Sequence, residues 1–490
     1  MARDRLVFSR NGKRIELAEV GANETLLDYL RLREGSKGTK EGCNEGDCGA
    51  CTVAVGRLRD GQLVYEPVNA CIQLLGQVDG KDVITVDDLA AGGALHPVQQ
   101  AMVAHHGSQC GYCTPGFVMS LFTLYHAGIA ADRPAIDDWL AGNLCRCTGY
   151  RPIADAALDA IGGKAEDALA ARLDTTLAAL SAMADGEDVF IGGQTRFFAA
   201  PASADALAAL YAAHPDATIL SGGTDVGLWI TKQLRDLPKI IHTGRALDFA
   251  VVRDAGDKIV IGAGATYAQA EAALGALAAD LGEVLRRLGS KQVRASGTVG
   301  GNIANGSPIG DSPPMLIALD AELELRHGAA VRAMPLEKFF LDYGKQDRAR
   351  GELVAAVSVP KLKAGQHFRA YKISKRFDQD ISAVLAALRI TLADGRVSEA
   401  RIAFGGMAAT PRRAARTEAA LVGLDPGDEA GVRVAAGVLA EDFSPIDDMR
   451  ASAAYRMQVA QNLIVKALAE VAGADPAHTR VLARRMEAAQ

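Results

Sequence analysis

The sequence predicts an α+β protein of several domains, in which a small mixed sheet, a four-helix unit and a larger α+β region follow one another. The chain has 490 residues, which is more than a single hydrophobic core usually serves. Short β-rich runs give way to helical periodicity near residue 90, and β runs return after residue 187. All eight cysteines lie between Cys43 and Cys147, so chemistry that needs soft ligands is confined to the first third of the chain.

The composition is that of a soluble protein with no basic excess. Hydrophobic residues make up 49%, charged residues 23%, and the formal net charge is -6, so nucleic acid is not an expected partner. The opening MARDRLVFSRNGKRIEL lacks the apolar core of a secretory signal, and no stretch has the roughly 20 apolar residues of a membrane span. We therefore expect a cytoplasmic protein with no membrane contact, whose cysteines are metal ligands or redox groups rather than disulfides.

Residues 1–88 are expected to form a small mixed sheet crossed by one helix. In LVFSRNGKRIEL, Asn11-Gly12 separates two alternating runs and predicts a tight hairpin with positive φ at both positions. TLLDYLRLR, starting at Thr25, predicts a short helix. The runs TVAV, LVYEPV and VITV predict three strands separated by turn residues.

Residues 89–162 are expected to form a four-helix unit. The segments HPVQQAMVAHH, PGFVMSLFTLYHA, IDDWLAGNL and PIADAALDAI each place apolar residues on one helical face. Pro97, Pro115 and Pro152 lie near their starts, where a missing N–H costs little. The last four cysteines fall in the loops between these helices.

The remaining chain divides into three predicted parts. Residues 163–187 are Ala-rich and polar, and we expect a linker that carries a helix. Residues 188–364 alternate β runs with glycine-rich turns (ATILSGGTDVG, DKIVIGAGATY and ASGTVGGNIANGSPIGDSPP), which predicts an α+β domain whose loops approach a ligand closely. Residues 365–490 predict an α+β C-terminal domain with a hairpin around Asp394-Gly395 followed by helices.

The first cysteine set has the spacing of plant-type 2Fe-2S ferredoxins. Its members are Cys43, Cys48, Cys51 and Cys71, with gaps of four and two residues between the first three. Gly42, Gly46 and Gly49 permit the turns that let thiolates converge and backbone N–H groups reach the sulfurs. The alternatives are a zinc site or free thiols, but zinc usually prefers paired C-x2-4-C knuckles.

For the second cysteine set, spacing alone does not identify the metal or the redox group. Cys110 and Cys113 form a C-x2-C pair, and Cys145 and Cys147 form a C-x-C pair. Zinc, a redox dithiol or an iron-sulfur cluster would each fit this pattern. The neighbouring predicted cluster favours iron and sulfur, because a second redox centre extends an electron path.

HPVQ, GSQCGYCTPGFVMSL and GNLCRCTGYRPI together resemble the helical iron-sulfur domain of the molybdenum hydroxylases, the family of xanthine dehydrogenase, aldehyde oxidase and carbon monoxide dehydrogenase. The resemblance implies a β-grasp ferredoxin-like first domain, a four-helix iron-sulfur domain, an α+β FAD-binding domain of the molybdenum hydroxylase type and an α+β C-terminal domain. It also implies that the second cysteine set holds the cluster next to molybdenum and the first set the cluster next to flavin. Gln109 would face the molybdopterin of a partner chain.

The glycine-rich segments are on their own only suggestive, because tight turns and anion-binding nests have similar sequences. By the resemblance, ATILSGGTDVG holds the FAD pyrophosphate and KQVRASGTVGGNIANGSPIGDSPP is the second flavin segment. Glycines 222 and 223 would allow close backbone approach to the cofactor, and Asp311 would hydrogen-bond it. The implied cofactor contacts are Ile219, Leu220, Ser221, Gly222, Gly223, Thr224, Asp225, Val226, Thr298, Val299, Gly300, Gly301, Asn302, Asp311, Val354 and Lys372. Nicotinamide would dock near Gln379 and Asp380.

Some residues are expected to have no role in the sites. Leu288 stands where many members of the family carry an aromatic residue, so that stacking contact is missing and Leu288 is left out of the flavin site. The histidines at 96, 105 and 106 are interpreted as packing, helix-start or surface residues. Trp139 and Trp229 are interpreted as core residues, since large aromatic side chains are mostly buried.

The order of the domains, with iron-sulfur first and flavin second, resembles xanthine dehydrogenases, and we expect no molybdopterin domains after the C-terminal VLARRMEAAQ. The resemblance therefore implies the small subunit of a bacterial-type xanthine dehydrogenase in an α2β2 heterotetramer with a large molybdopterin-binding subunit. Electrons from purine oxidation to urate would pass through two 2Fe-2S clusters to FAD and then to NAD+. The alternatives are a subunit acting with an aldehyde or N-heterocycle hydroxylase and a stand-alone iron-sulfur flavoprotein. Because no cysteine follows Cys147, we expect no thiol switch at the flavin site.

Overall fold

The computed structural model describes residues 2–130, 132–163 and 166–480. The C-terminal VLARRMEAAQ lies outside the described residues. The described chain contains several sheets, two of which are mixed, and many helices, so the predicted multidomain α+β fold class is confirmed. Within the described residues, no helix combines the length and the apolar character needed to cross a membrane.

The first unit is a five-stranded mixed sheet with the order β2-β1-β5-β3-β4. Asn11 and Gly12 have φ values of 51° and 75°, so the predicted tight hairpin forms between β1 and β2. Leu26, Leu27 and Leu30 are buried beneath the sheet, and the β-grasp prediction is confirmed. The elements are β1 (Leu6–Arg10), β2 (Lys13–Leu17), α1 (Leu26–Asp28), which continues as a π-helical turn (Tyr29–Arg33), β3 (Thr52–Arg59), β4 (Gln62–Asn69) and β5 (Asp82–Ile84).

The second unit contains the four predicted helices. They are α2 (Pro97–Ala104), α3 (Thr114–His126), α4 (Arg133–Leu140) and α5 (Arg151–Gly162). Each has a proline at its first or second position, where the lost N–H has no intrahelical partner anyway. Phe117, Phe122, Ile136 and Ile153 are buried between the helices. The second cysteine set lies in the loops before α3 and α5, as predicted.

The segment predicted as a linker is docked on the two units before it. It carries α6 (Leu173–Met183), whose Leu180 and Met183 pack against Val7 of β1. Nearer its start, one carboxylate oxygen of Asp167 lies 2.8 Å from the Nε2 atoms of both His96 and His126. These contacts fix the segment against the first two units.

The third unit begins with a four-stranded sheet of order β6-β7-β9-β8, in which β9 pairs in parallel with β7 and β8. A second sheet has the order β10-β11-β16-β12-β13, and β14 and β15 form a separate hairpin. The first part comprises β6 (Val189–Gly192), β7 (Phe197–Ala200), α7 (Ala204–Ala213), β8 (Thr218–Leu220), α8 (Val226–Thr231) and β9 (Lys239–His242). The second part comprises β10 (Val252–Asp254), β11 (Lys258–Gly262), α9 (Tyr267–Leu277), α10 (Ala279–Arg286), α11 (Lys291–Ser296), α12 (Val299–Asn305), α13 (Ser312–Ala318), β12 (Glu322–His327), β13 (Ala330–Pro335), β14 (Phe340–Asp342), β15 (Lys345–Gln346) and β16 (Leu353–Pro360).

The third glycine-rich stretch differs from its interpretation as turns between strands, because it folds as the two short helices α12 and α13. Thr298 caps α12 by accepting a hydrogen bond from the Gly301 N–H at 3.0 Å. Val299 and Ile303 bury the inner face of the helix, and Gly306 ends it with a left-handed φ of 65°. Capping and burial therefore outweigh the low helix propensity of the two internal glycines.

The C-terminal unit packs helices on a four-stranded sheet of order β17-β18-β19-β20. Asp394 and Gly395 have φ values of 51° and 74° and join β18 to β19 in the predicted hairpin. The elements are β17 (Gln366–Ile373), β18 (Val384–Ala393), β19 (Arg396–Gly405), β20 (Arg412–Arg413), α14 (Ala415–Leu421), α15 (Glu429–Gly437), α16 (Leu439–Asp442), α17 (Ala453–Val471) and α18 (Pro476–Thr479).

Candidate redox sites

The first cysteine set divides into two pairs. Cys43 and Cys48 face each other, and each backbone N–H donates to the other thiol sulfur at 3.3 Å. The Asp47 N–H also donates to the Cys43 sulfur, at 3.4 Å. The hydrogen bond from the Cys48 thiol lowers the pKa of Cys43 to about 5, with help from these backbone donors. N–H groups aimed at sulfur are the environment that a thiolate ligand needs.

Cys51 and Cys71 form the second pair of this set, and both are buried. The pKa of Cys71 is raised because the Cys51 thiol accepts its hydrogen bond and because the group is buried. Asn69 fixes the loop around the pair by donating from Nδ2 to the Gly46 carbonyl at 2.7 Å. A metal would therefore have to replace the thiol protons for both cysteines to be ionised together.

The second set also divides into two pairs, Cys110 with Cys147 and Cys113 with Cys145. Cys110 and Cys147 are exposed, whereas Cys145 is buried. Burial raises the pKa of Cys113 to about 12. Burial also opposes ionisation of Cys145, but the hydroxyl and N–H of Thr148 outweigh it and the pKa of Cys145 is lowered.

The arrangement in pairs distinguishes an iron-sulfur cluster from zinc. A tetrahedral zinc site with Zn–S bonds of about 2.3 Å brings all four sulfurs within about 3.8 Å of one another. Among the described residues, the only group of three or more candidate ligand atoms that lie within 4.8 Å of one another is His96, His126 and Asp167, which includes no cysteine. A 2Fe-2S cluster takes two thiolates on each of its two irons, so both cysteine sets fit it better than they fit zinc.

His96, His126 and Asp167 form a hydrogen-bonded group that attaches the segment before α6 to the helical unit. The Val98 N–H donates to His96 Nδ1 at 3.1 Å, so the proton of this ring lies on Nε2, which points at Asp167. An Nε2–H cannot ligate a metal, and Asp167 is further satisfied by the Leu169 and Ala170 N–H groups. His96 thus lies at the helix start predicted for it, where it caps α2, and it also contacts the segment before α6.

The two cysteine loops touch each other directly. The Leu144 N–H, next to Cys145, donates to the Cys48 carbonyl at 3.0 Å. A Cβ added at Gly49 would lie 2.3 Å from the Gly142 carbonyl oxygen, and φ at Gly49 is 70°. Gly49 is therefore required both by its left-handed backbone and by the close approach of the second loop.

A buried polar cluster joins this contact to the third unit. Gln292 of α11 is 1% exposed, and its Nε2 donates to Asn143 Oδ1 at 3.0 Å and to Thr52 Oγ1 at 3.2 Å. Asn143 Nδ2 donates in turn to the Gly49 carbonyl at 3.1 Å. Asn143 lies two residues before Cys145, and Thr52 follows Cys51, so Gln292 contacts the surroundings of both cysteine sets. Sequence reasoning did not identify Gln292 or Asn143.

A cleft of about 450 Å³ lies between the first sheet of the third unit and its short helices. It is lined by both glycine-rich segments, and its volume lies in the range of pockets that bind small molecules and cofactors. Of the residues implied as FAD contacts, Ile219, Ser221, Gly222, Gly223, Thr224, Asp225, Val226, Thr298, Gly300, Gly301, Asn302 and Val354 line it. Burial raises the pKa of Asp225 on its wall. The site residues chosen from the resemblance thus largely converge on one cleft.

Four of the implied contacts are not on the wall of this cleft. Leu220 and Val299 are fully buried in the hydrophobic core. Asp311 and Lys372 form a buried ion pair, and Asp311 also accepts a hydrogen bond from Ser382. The pair is linked to the cleft through Ser312, whose hydroxyl donates to Asn302 Oδ1 at 2.9 Å.

The glycines of both segments serve packing as well as access. A Cβ at Gly222 would lie 2.1 Å from the Ser296 carbonyl oxygen, and one at Gly300 would lie 2.2 Å from the Ala263 Cβ. Gly223 has a φ of 80° and lies against Gln77 and Ile72 of the first unit. Close backbone approach at these positions therefore joins protein segments to each other.

Two residues assigned no role in the site line the cleft. Leu288 contributes to its wall, as does Trp229, which is half-buried rather than in the core. The Arg235 guanidinium lies 5.1 Å from the centre of the Trp229 ring. Trp139 is half-buried too, and its Nε1 donates to Thr123 Oγ1 at 3.0 Å. The core interpretation is therefore wrong for Trp229, because the tryptophan faces the cleft opened by the first glycine-rich segment.

The remaining predicted positions lie at surfaces and at contacts between units. Gln109 is exposed beside Cys110, where a partner chain could reach it. Gln379 has a left-handed φ of 48° and donates from Nε2 to the Ala141 carbonyl at 3.0 Å. Asp380 accepts a hydrogen bond from the Arg376 N–H at 2.7 Å. The loop implied for nicotinamide docking is thus held against the helical unit.

Comparison with known protein families assigns each unit. The model of the 2Fe-2S iron-sulfur cluster binding domain matches residues 8–73, and that of the [2Fe-2S] binding domain matches residues 85–158. The FAD binding domain in molybdopterin dehydrogenase matches residues 193–362, and the CO dehydrogenase flavoprotein C-terminal domain matches residues 369–471. Each cysteine set lies inside one of the two iron-sulfur matches.

Relatives of known function agree with these matches. Xanthine dehydrogenase of Emericella nidulans is 32% identical over 90% of this chain and 36% of its own length. Xanthine dehydrogenase/oxidase of Mus musculus is 32% identical over 83% of this chain and 34% of its own length.

The chain is homologous to xanthine dehydrogenase and other molybdenum hydroxylases.

Among solved structures, carbon monoxide dehydrogenase from Hydrogenophaga pseudoflava, in a form that lacks the Mo-pyranopterin moiety of its molybdenum cofactor, is similar with a TM-score of 0.53 and 28% identity. The match covers 57% of this chain and 97% of that chain. This chain spans about a third of the length of the two xanthine dehydrogenases. The iron-sulfur and FAD-binding domains that it shares with the family support an electron-transfer role.

Proposed function

We propose that this chain is the electron-transfer subunit of a cytoplasmic, bacterial-type xanthine dehydrogenase. In this proposal a molybdopterin-binding large subunit oxidises hypoxanthine and xanthine to urate, and this chain passes the electrons to NAD+. The observation that carries the proposal is the position of the first cysteine loop, which touches the second cysteine loop on one side and the flavin segment on the other. The names of the xanthine dehydrogenase relatives support the proposed substrate.

The side of the first loop that faces the flavin segment is in close contact with it. Cys71 is followed by Ile72, and a Cβ at Gly227 of α8 would lie 2.6 Å from the Ile72 carbonyl oxygen. Lys232, at the end of α8, donates from Nζ to the Cys43 carbonyl at 2.7 Å and forms an ion pair with Glu45 at 3.2 Å. These contacts hold the first set against α8, whose first residue, Val226, lines the cleft.

The second set supports the proposed contact with a large subunit. Cys110 and Cys147 are exposed, and exposed apolar side chains lie around them: Tyr112 at 51%, Leu144 at 43% and Tyr150 at 44%. An apolar rim around an exposed pair of cluster ligands fits a protein interface. We assign this face to the molybdopterin-binding subunit, with Gln109 at its edge, and the assembly to an α2β2 heterotetramer.

The geometry above supports the residues that we propose as cofactor ligands. Cys110, Cys113, Cys145 and Cys147 would hold the entry cluster, and Cys43, Cys48, Cys51 and Cys71 the second cluster. The cleft walls would hold FAD, with the buried Asp311 and Lys372 pair fixing Asn302 through Ser312. When bound, the clusters supply one-electron transfer and FAD supplies the step from single electrons to the electron pair that NAD+ takes. The chain itself supplies position, burial and hydrogen bonds to sulfur.

The test is a steady-state assay of the complex purified with its partner through a tag on this chain. We expect a large molybdopterin-containing chain to copurify and xanthine to be oxidised with stoichiometric NAD+ reduction. Oxidation of xanthine without NAD+ reduction would overturn the acceptor, and activity with aldehydes or other heterocycles alone would overturn the substrate. Isolation of the chain without any molybdopterin partner would favour a stand-alone iron-sulfur flavoprotein.

A further inference from the structure

A second cavity of about 400 Å³ lies on the other side of the flavin segment. Its walls come from the first unit, from the end of α6 and from the third unit. It shares Ser221, Gly222, Thr243 and Thr298 with the FAD cleft and is otherwise lined by different residues. The volume is in the range of cavities that hold small organic ligands.

Four cationic side chains line this cavity: Arg57, Arg59, Lys81 and Arg245. The acidic groups nearby are already engaged, including Asp248, which lines the cavity and accepts a hydrogen bond from the Ala204 N–H at 2.9 Å, and Asp185, which pairs with Arg245. Glu66 pairs with Arg57 at 3.2 Å and with Arg59 at 2.8 Å, and Asp79 pairs with Arg245 and also with Arg3.

Lys81 is left without a carboxylate. Within the described residues it forms no ion pair, and its Nζ donates to the Gln77 carbonyl at 2.6 Å. Burial, reinforced by Arg57, lowers the pKa of Lys81 to about 7. An ammonium group in such a site gains from an anion that would restore its charge balance.

The cavity also offers a hydrogen-bond acceptor. His242 is 4% exposed, and its Nδ1 lies 3.0 Å from the Leu220 carbonyl, to which it donates. Burial lowers the pKa of His242 to about 3, so the ring is neutral at ordinary pH and Nε2 carries a lone pair. The described residues provide no donor for Nε2. A ligand that carries a hydroxyl or N–H near its anionic group would satisfy both Lys81 and His242.

We infer that this cavity is a binding site for a small phosphate-bearing metabolite, with Lys81, Arg59 and Arg245 facing the phosphate and His242 accepting a hydrogen bond from the ligand. A phosphate fits better than a carboxylate because cations from several elements, β3, the segment before β5 and the loop after β9, converge on the cavity. The site is separate from the FAD cleft and does not depend on the proposed function. A ligand bound there would contact Ser221 and Gly222, which also line the FAD cleft. Its binding would therefore affect the proposed flavin site through these two residues.

Pyridoxal 5′-phosphate is a probe of suitable size and charge, used here as a reagent. Its aldehyde condenses with an unprotonated amine and releases water, and borohydride then reduces the imine to a stable secondary amine that peptide mapping locates. With the full chain loaded with its clusters and FAD, we expect about one equivalent at Lys81 near pH 7.5. We expect labelling at Lys81 to be at least about tenfold faster than at any other lysine, because more of its amine is unprotonated.

Inorganic pyrophosphate should slow the labelling of Lys81 and raise the melting temperature of the protein. Arg59→Gln should weaken both effects while leaving the Lys81 amine in place, and Lys81→Gln should abolish labelling and the shift in melting temperature. Lys13→Gln, at an exposed position of β2, is the matched control and should change neither. Labelling spread over surface lysines, or absence of protection by pyrophosphate, would overturn the proposal. So would labelling of Lys81 only in protein stripped of FAD, since the cavity would then belong to the flavin site.

Discussion

Gln292 Nε2 and Asn143 Oδ1 lie 3.0 Å apart in the interior, and this hydrogen bond joins the flavin unit to the loop of the second cysteine set. Both side chains are at most 2% exposed. Through Asn143 the contact continues to Gly49 in the first cysteine loop. Three units that are far apart in sequence are thus held at the point where the two proposed clusters approach each other.

Gln292→Ala should loosen this junction. It removes the hydrogen bonds that Gln292 Nε2 donates to Asn143 and Thr52, each of which contributes about 0.5 to 1.5 kcal/mol to stability. We expect a lower melting temperature and a weaker magnetic interaction between the two reduced clusters in EPR spectra. Gln62→Ala, at an exposed position of β4, is the control and should behave as wild type. An unchanged cluster interaction in Gln292→Ala would show that Gln292 does not position the loops.

The ion pair of Lys372 and Asp311 predicts a loss of flavin when one partner is removed. Both side chains are buried, at 2% and 7% exposure, and breaking such a pair leaves one uncompensated charge at a cost of about 3 to 5 kcal/mol. Lys372→Met should therefore lower the flavin content and the urea midpoint measured by flavin fluorescence. Lys375→Met, three residues away and exposed, should do neither. The double variant with Asp311→Asn should recover part of the loss of stability, and failure to recover any would argue against charge as the cause.

Lys81 predicts a rise in stability with pH. Its folded pKa, about 7, lies below the ordinary value of 10.5, so between these values the unfolded chain binds more protons than the folded chain. Stability then rises as pH increases from about 7, by up to about 1.4 kcal/mol per pH unit. Lys81→Met should be more stable than wild type at pH 6.5, and the difference should shrink by pH 9 in urea denaturation. A difference that does not change with pH would contradict a buried ammonium at this position.

The absence of cysteine from residues 148–490 predicts that the proposed flavin site has no thiol switch. Thiol oxidants should leave the ratio of NAD+-linked to O2-linked turnover unchanged for as long as the clusters survive, as followed by their absorbance. A gain of oxidase activity that dithiothreitol reverses would contradict this prediction.

The sequence predicted the features that short segments encode. Asn11-Gly12 and Asp394-Gly395 specify their hairpins because both residues of each pair tolerate positive φ. The cysteine spacing and the prolines at the helix starts are also encoded by a few neighbouring residues, so the sequence predicts them as well. The first glycine-rich segment was assigned to FAD by resemblance. In the structure, this segment and the second glycine-rich segment line the same cleft.

The features that the sequence did not reveal depend on contacts over long separations. Gln292 meets Thr52 across 240 positions, and a single glutamine in KQVR has no pattern that marks it. Residues 299–305 became a helix because Thr298 caps them and Val299 is buried, which glycine content does not predict. Trp229 faces the cleft rather than the core because the direction of α8 is set by packing against Ile72.

The central claim is that the two cysteine sets hold two iron-sulfur clusters beside one FAD. The most direct measurement is iron, sulfide, zinc and flavin analysis of the purified chain, combined with EPR after reduction by dithionite. The account predicts about four irons, four sulfides and one FAD per chain, with two distinct 2Fe-2S signals, of which Cys113→Ser removes one and Cys51→Ser the other. Zinc in place of iron at the second set, or a single signal that both variants abolish, would contradict it.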